Sequence, residues 1–459
     1  LDRADRRMTE AMLRTLGAGA TATAYAALCL AVYARQRRQR TAAVREAAAL
    51  STDSETPPTL VLFASQTGQA ETIAWQTARQ LRAAGTPVRV MELNALDAAT
   101  LASADRALFV ASTYGEGDAP DGASVFAERM MDSPVALSSL RYAVLALGDR
   151  QYKNFCGFGR ALDAWLHAAG ARRDFECLEV DNSDPAALAD WQARWGDVAA
   201  DQEDPADAFA PWRLTTRELL NAGSAGAPVF QLGLVPQSGA MPHWDSGDLI
   251  QIAVASDPAR PRDYSIASLP ADGELQLLVR QEQHPDGTLG TASGLLTSTL
   301  TLGDSVALRL RPHRTFRLDG NETRPLILIG NGTGLAGLRA HLRARAAAGR
   351  NDNWLVFGER QAAHDFLCRE EVEAWQSSGV LQRLDMVFSR DQPERLYVQH
   401  RLLQSADQLR IWLDNDAAVY VCGSLQGMAS GVDAALKQIA GPARWAELSV
   451  AGRYRRDVY

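Results

Sequence analysis

Cysteine is scarce in this chain of 459 residues, and its five copies (Cys29, Cys156, Cys177, Cys368 and Cys422) fall in no CxxC or CxxxC spacing. That excludes a cysteine zinc site and a disulfide framework, leaves no metal site in view, and fits a reducing compartment. Positive charge is also in deficit, with 47 Lys and Arg against 55 Asp and Glu and a formal net charge of -8. A protein that binds nucleic-acid phosphates should be basic, so nucleic acid is excluded as a partner, while docking to a basic protein face is compatible. Disordered composition is missing as well: 46% hydrophobic and 22% charged is an ordinary folded protein, and the length allows about two to four domains.

Long apolar runs are few. Thr15 to Ala34 carries no charge, and as a helix rising about 1.5 Å per residue it would span roughly the 30 Å of a bilayer core. Arg35, Arg37, Arg38 and Arg40 flank its C-terminal side without an acid until Glu46, whereas the arginines before it are diluted by Asp2, Asp5 and Glu10. The positive-inside rule then predicts a single-pass anchor in the inner, cytoplasmic membrane, with residues 1–40 as anchor and basic flank and the rest in the cytoplasm. Residues 41–58 turn to Ser, Thr and Pro and read as a linker. The chain opens on Leu1 and not Met, as a trimmed chain or the tail of a longer polypeptide does.

Chemistry begins at Thr59–Glu71, TLVLFASQTGQAE. An apolar strand breaks into small hydroxyl, amide and glycine residues before a helix, which places hydroxyls and free N–H groups at a positive helix end. The loop has no lysine, unlike GxxxxGK[ST], so a resident monophosphate fits it better than a triphosphate. From residue 59 to about 200, strands predicted at 60–64, 87–93, 107–112, 142–147 and 174–180 alternate with amphipathic helices, the pattern of a doubly wound parallel sheet. Two further loops leave these strands, STYGEGDAPDG at 112–122 and LGDRQYKNFC at 147–156, offering Tyr114, Tyr152 and Phe155 as planes beside a flat ring. Ligands in such sheets sit outside the carboxyl ends of the strands.

These loops resemble the flavodoxin-like FMN domain of the diflavin reductases, the family of the sulfite reductase flavoprotein subunit and the NADPH-cytochrome reductases. The resemblance implies FMN contacts from Ser65, Gln66, Thr67, Gly68, Gln69 and Ala70, from Ser112, Thr113, Tyr114 and Gly115, and from Leu147, Gly148, Asp149, Arg150, Gln151, Tyr152, Lys153, Asn154, Phe155 and Cys156. Glu116, Asp118 and Asp121 add an acidic rim suited to a basic haem protein.

Residues 201–228, rich in Asp, Ala, Gly and Pro, read as a second linker. Alternating strands with GDxV-like turns at Gly247 and Gly303 then predict a small antiparallel barrel over 229–320. Within it PRDYSIAS, 261–268, followed by LGTASGLL, resembles the FAD module of the ferredoxin-NADP reductase superfamily. The resemblance implies FAD contacts from Arg262, Asp263, Tyr264, Ser265, Gly290, Thr291, Ala292 and Ser293. Only about sixty residues separate the first domain from this motif, so the long helical connecting insert of the larger diflavin reductases is missing.

The last third, 321–459, repeats strand, glycine turn and helix. GNGTG at 330–334 resembles the pyrophosphate loop of the same superfamily, without its usual proline, since Ala336 is followed by Gly337. Ser389 and Arg390 offer a hydroxyl and a guanidinium fork for a ribose 2′-phosphate. The resemblance adds Gly332, Thr333, Arg360, Arg395, Leu396, Tyr397, Val398 and Gln399 as NADPH contacts, while Glu359 would instead suit a bare 2′-hydroxyl and NADH. Ser265, Cys422 and Asp457 are implied to assist hydride transfer, with Tyr459 on the FAD face; Ser424 stands where relatives have Asp. The sequence thus predicts a multidomain α/β NADPH-dependent diflavin reductase passing electrons from NADPH to FAD to FMN. Its acceptor would be a haem protein, a sulfite-reductase-type partner, or a ferric-siderophore or membrane redox chain. The competing reading is a membrane-tethered flavin redox sensor with a degenerate nicotinamide site.

Overall fold

The computed structural model describes residues 57–65, 68–150, 152–196 and 208–459. The first unit is a parallel sheet of β1 (Thr59–Ala64), β2 (Val88–Glu92), β3 (Arg106–Ser112), β4 (Arg141–Gly148), β5 (Arg172–Arg173) and β6 (Leu178–Asp181), ordered β2-β1-β3-β4-β5 with β6 also against β4. The period of two divides β1 between two cores: Leu60, Leu62 and Ala64 join Phe158 and Leu162 of the helix Gly157–Ala168, and Val61 joins Ile73 and Leu81 of the helix Gln69–Ala83. Sandwiched strands of this kind read as continuous apolar runs. The strand expected at 174–180 starts only at Leu178, because the Asp174 carboxylate is held at the sheet edge by Arg106 and Arg141, at 2.6 and 2.7 Å.

The second unit is a six-stranded antiparallel sheet of β7 (Ala210–Leu219), β8 (Val229–Pro236), β9 (Leu249–Val254), β10 (Asp257–Ser265), β11 (Leu275–Arg280) and β12 (Ser305–Arg311), ordered β10-β9-β12-β7-β8-β11. It curls until its edges meet: Ile266 bridges Leu277, and the Ala267 N–H donates to the Gln276 carbonyl at 2.8 Å. The expected linker 201–228 is corrected here, since β7 is an interior strand of this sheet. Trp212 and Leu214 alternate inward, a short period-two signal hidden among Asp, Ala and Pro.

The third unit is a parallel sheet of β13 (Leu326–Asn331), β14 (Asn353–Glu359), β15 (Leu381–Phe388), β16 (Ala418–Gly423) and β17 (Tyr454–Val458), ordered β15-β14-β13-β16-β17. Its switch point lies between β13 and β16, where the turn Gly332–Gly334 leads into the helix Leu335–Ala347. The first unit rests on the other two through ion pairs of Glu71 with Arg314 and of Asp121 with Arg456.

The expected placement in the inner membrane is corrected. Among the described residues no helix is long and apolar enough to cross a membrane, and the segment that suggested one, Thr15–Ala34, lies outside them.

Candidate functional site

Two sites emerge, one at each parallel-sheet switch point. At the first, β1 ends in buried Ser65, and Gly68 turns at φ +84 into the helix Gln69–Ala83, whose N-terminus has no side-chain cap. Its first-turn N–H groups are therefore available to an anion. Gln66, Thr67 and Gln151 lie outside the described residues. The loops after β3 and β4 are laced together: Thr113 N–H donates to Leu147 O at 2.9 Å, Tyr114 N–H to Asp118 O at 2.9 Å, and the Asn154 amide to Glu116 O at 2.5 Å.

This site has polar atoms waiting for a partner. The Ser65 and Thr113 hydroxyl oxygens and the Tyr114 hydroxyl are buried without a hydrogen bond, and buried polar groups are normally satisfied. A phosphate- and hydroxyl-bearing ring compound fits them, so the residues suit FMN. Phe155 and Cys156 depart from expectation. Phe155 is buried against Cys156 and Ala146, with the Arg150 guanidinium 4.5 Å from its ring. Cys156 is a core thiol, pushed up to about 12 chiefly by burial.

The second site is a cavity of about 1010 Å³ between the curled sheet and the third unit. Arg262, Asp263, Tyr264, Ser265 and Ser293 line one side; Gly332, Thr333, Arg360, Ser389, Arg390 and Leu396 through Gln399 line the other, with Asp457 and Tyr459 between them. Residues far apart in the chain thus share one chamber. Gly290, Thr291, Ala292, Arg395 and Cys422 do not line it. Cys422 sits just behind the wall, fully buried, its thiol driven well above its usual range by burial and then by Asp457. The Ser265 hydroxyl donates to Asp457 Oδ2 at 2.6 Å, and the Cys422 thiol lies 3.6 Å from the same oxygen.

The chain terminus is pinned: Tyr459 N–H donates to Gly423 O at 3.1 Å and its hydroxyl to Thr333 Oγ1 at 3.3 Å. The missing proline also finds an explanation. A Cβ on Gly337 would meet Phe316 at 3.0 Å and Cys422 Sγ at 3.3 Å, so a small residue lets this helix approach the wall.

Residues not singled out in the sequence complete the chamber. Arg280, at the end of β11, brings its guanidinium to 2.9 Å from where a Gly332 Cβ would stand, beside the expected pyrophosphate loop. It also faces Glu359 at 3.6 Å. No local motif marks Arg280, because only the packing of the second unit on the third delivers it. Glu359 and Gln399 each bury a side-chain oxygen without a hydrogen bond. These orphans, with the Ser389 and Arg390 pair, fit a dinucleotide's hydroxyls and phosphates.

Glu359 carries a pH signature. Burial, outweighing the nearby Arg280, raises its carboxyl to about 7, above the value of about 4.3 in an unfolded chain. A raised carboxyl favours the folded state most below the unfolded value, and that contribution is lost as pH rises through about 7. Thermal midpoints measured from pH 5 to pH 8 should therefore fall less steeply in Glu359→Gln than in the parent; identical slopes would refute the assignment. Glu92, raised to about 7 by burial and then by Glu71 and Asp121, contributes a second, independent slope in both proteins.

Comparison with known proteins matches two of the three units. Residues 61–196 match the flavodoxin family and residues 328–434 the oxidoreductase NAD-binding domain. The chain is similar to the sulfite reductase (NADPH) flavoprotein alpha-component of Vibrio cholerae, 29% identical over 87% of each chain. It resembles the proteins of the same name from Neisseria meningitidis, 29% identical over 87% of this chain and 89% of that one, and from Aliivibrio fischeri, 28% identical over 91% of each. The alignment to the Vibrio cholerae protein runs over 536 residues, more than the 459 present here, so that relative holds residues this chain lacks. A flavodoxin unit and an oxidoreductase NAD-binding unit thus stand in one chain, which is similar to NADPH flavoproteins along most of their length.

Proposed function

We propose that this chain is an NADPH-dependent diflavin reductase that takes a hydride at the large cavity and delivers single electrons through the flavodoxin unit to a haem protein of the sulfite-reductase type. The observation that carries the reading is the convergence of Ser265, Asp457 and Tyr459 with Ser389 and Arg390 on one chamber, beside a separate switch-point site with three unsatisfied buried hydroxyls. The matched domains and the flavoprotein relatives support FMN, FAD and NADPH as the cofactor set. Bound flavins supply acceptance of a hydride and its return as single electrons.

The protein's part is orientation and charge. Arg262 and Ser293 would hold the FAD side and Tyr264 would pack beside the ring, with Ser265, its hydroxyl donated to Asp457, at the wall where hydride would arrive. Gly332 and Thr333 would cradle the NADPH pyrophosphate with Arg280 beside them, while Ser389, Arg390 and Arg360 would take the 2′-phosphate. Tyr459, on the cavity wall, would cover the ring and give way to nicotinamide. Asp457 holds negative charge where positive charge develops as hydride leaves. At the other site Ser65 and the N-terminus of the helix Gln69–Ala83 would hold the FMN phosphate, and Tyr114 would shield its ring. We assign residues 59–196 to FMN, 208–320 to FAD and 321–459 to NADPH.

Anaerobic titration of the purified holoprotein with NADPH, followed through flavin absorbance, tests this. Bleaching of both flavins by about two equivalents is expected. Flavin that stays oxidised under excess NADPH would sink the reductase and favour a redox sensor.

A further inference from the structure

The last strand serves both sites at once. Asp457, Val458 and Tyr459 border the cavity at the end of β17, while Arg456, on the face of the strand opposite Asp457, turns toward the flavodoxin unit. There its guanidinium lies 4.7 Å from the Tyr114 ring. Its Nε donates to Asp121 Oδ1 at 3.0 Å, and Nη1 meets Asp433 Oδ2 at 2.7 Å. Tyr114 and Asp121 lie on the segment after β3, and Asp433 on the helix Ser430–Ala440. Arg456 is 9% exposed. A second tie between the units, Arg314 to Glu71, is by contrast 60% exposed on its arginine side.

The two ties differ in strength for a physical reason. An exposed ion pair is screened by water and salt. A guanidinium mostly removed from water, shared by two carboxylates and stacked on an aromatic ring, is directional, and losing one partner strands a buried charge. Asp433 travels with Arg456 on the third unit, so Asp121 and Tyr114 are what the flavodoxin unit contributes.

We propose that Arg456 is a positioning residue that clamps the flavodoxin unit with its Tyr114 loop against β17, so that one strand registers both redox sites. An electron lost at the cavity and gained at the flavodoxin loops then crosses a fixed gap, without the connecting insert of larger relatives. The electron-transfer part of this inference rests on the two-flavin reading; the docking part does not.

The test uses the holoprotein with Asp121→Asn, which leaves the cavity untouched, and with Arg456→Gln and Arg456→Lys. Hydrogen exchange over residues 112–122 should quicken about tenfold in Asp121→Asn and Arg456→Gln, with the double variant no faster than either, since both remove one interaction. Arg456→Lys, keeping charge without the fork, should fall between. Arg314→Gln should stay within twofold of the parent. In stopped flow without any acceptor protein, hydride entry from NADPH should stay within twofold in Asp121→Asn while onward transfer to the flavodoxin unit slows about tenfold. Unchanged exchange in Asp121→Asn, or additive effects in the double variant, would overturn the clamp. If NADPH reduces neither flavin, the functional reading fails, and the exchange result still decides the docking.

Discussion

Asp457→Asn should slow hydride entry from NADPH by about a hundredfold while leaving nucleotide affinity within a few-fold. The carboxylate is 5% exposed, accepts the Ser265 hydroxyl at 2.6 Å and faces the Cys422 thiol at 3.6 Å. Asparagine preserves the shape and one acceptor oxygen but removes the charge. A unit charge about 6 Å from a developing positive centre, at an effective dielectric near 20, is worth on the order of 3 kcal/mol, or about a hundredfold in rate. Because that charge develops only as hydride leaves, the loss should fall on the rate of the bleaching step and not on KM. Single-turnover stopped flow with NADPH measures it. A loss confined to KM would show instead that Asp457 merely shapes the nucleotide pocket, and an unchanged rate would remove it from the chemistry. Ser265→Ala, which deletes one hydrogen bond and keeps the charge, should cost much less.

Gly334→Ala should destabilise the third unit by about 3 kcal/mol or more and abolish reduction by NADPH. A Cβ at this position would stand 2.1 Å from the Cys422 carbonyl oxygen and 2.6 Å from Gly423 Cα. Both obstacles are backbone of β16, the central partner of β13, so no side chain can swing away. The φ of -58 is ordinary for any residue, so the demand for glycine here is one of space alone. Overpacking of a fixed core typically costs about 1–3 kcal/mol and more where nothing yields. Denaturant unfolding with nucleotide titration checks both parts: a midpoint and an NADPH affinity equal to the parent's would mean that β16 moves more freely than its register implies. Gly349→Ala, where a Cβ would meet nothing within 4 Å although φ is +66, gives a comparison in which backbone strain acts without collision.

How far the site could be read in advance varied with the distance over which its residues act. The strand and turn Thr59–Gly68, the turn Gly332–Gly334 and the pair Ser389–Arg390 are each contained in a few consecutive residues, and each lies at a strand's carboxyl end. An aromatic in a glycine-bearing loop carries no mark of direction, and it is packing that sets Phe155 against Cys156 and Ala146. The strand β7 reads as a linker in the sequence because only Trp212 and Leu214 carry its inward period among charged and small neighbours. The membrane placement drew on composition outside the described residues, and no helix among those described is fit to cross a membrane.

By itself the sequence determined the local pieces: most of the strands in the parallel sheet of the first unit, where glycine lets a turn open onto a helix, and which loops offer hydroxyls and guanidinium groups. Those follow from periodicity and backbone freedom, which act over neighbouring residues. Only the tertiary structure decided that Arg280 faces the nucleotide turn, that Cys422 stands behind the wall and not in it, and that Arg456 reaches Asp121 across 335 positions of the chain. Nothing local encodes such pairings. They arise when three separately patterned units bury their remaining surfaces against one another, and the alternation of a single strand, β17, then sends Asp457 to one site and Arg456 to the other.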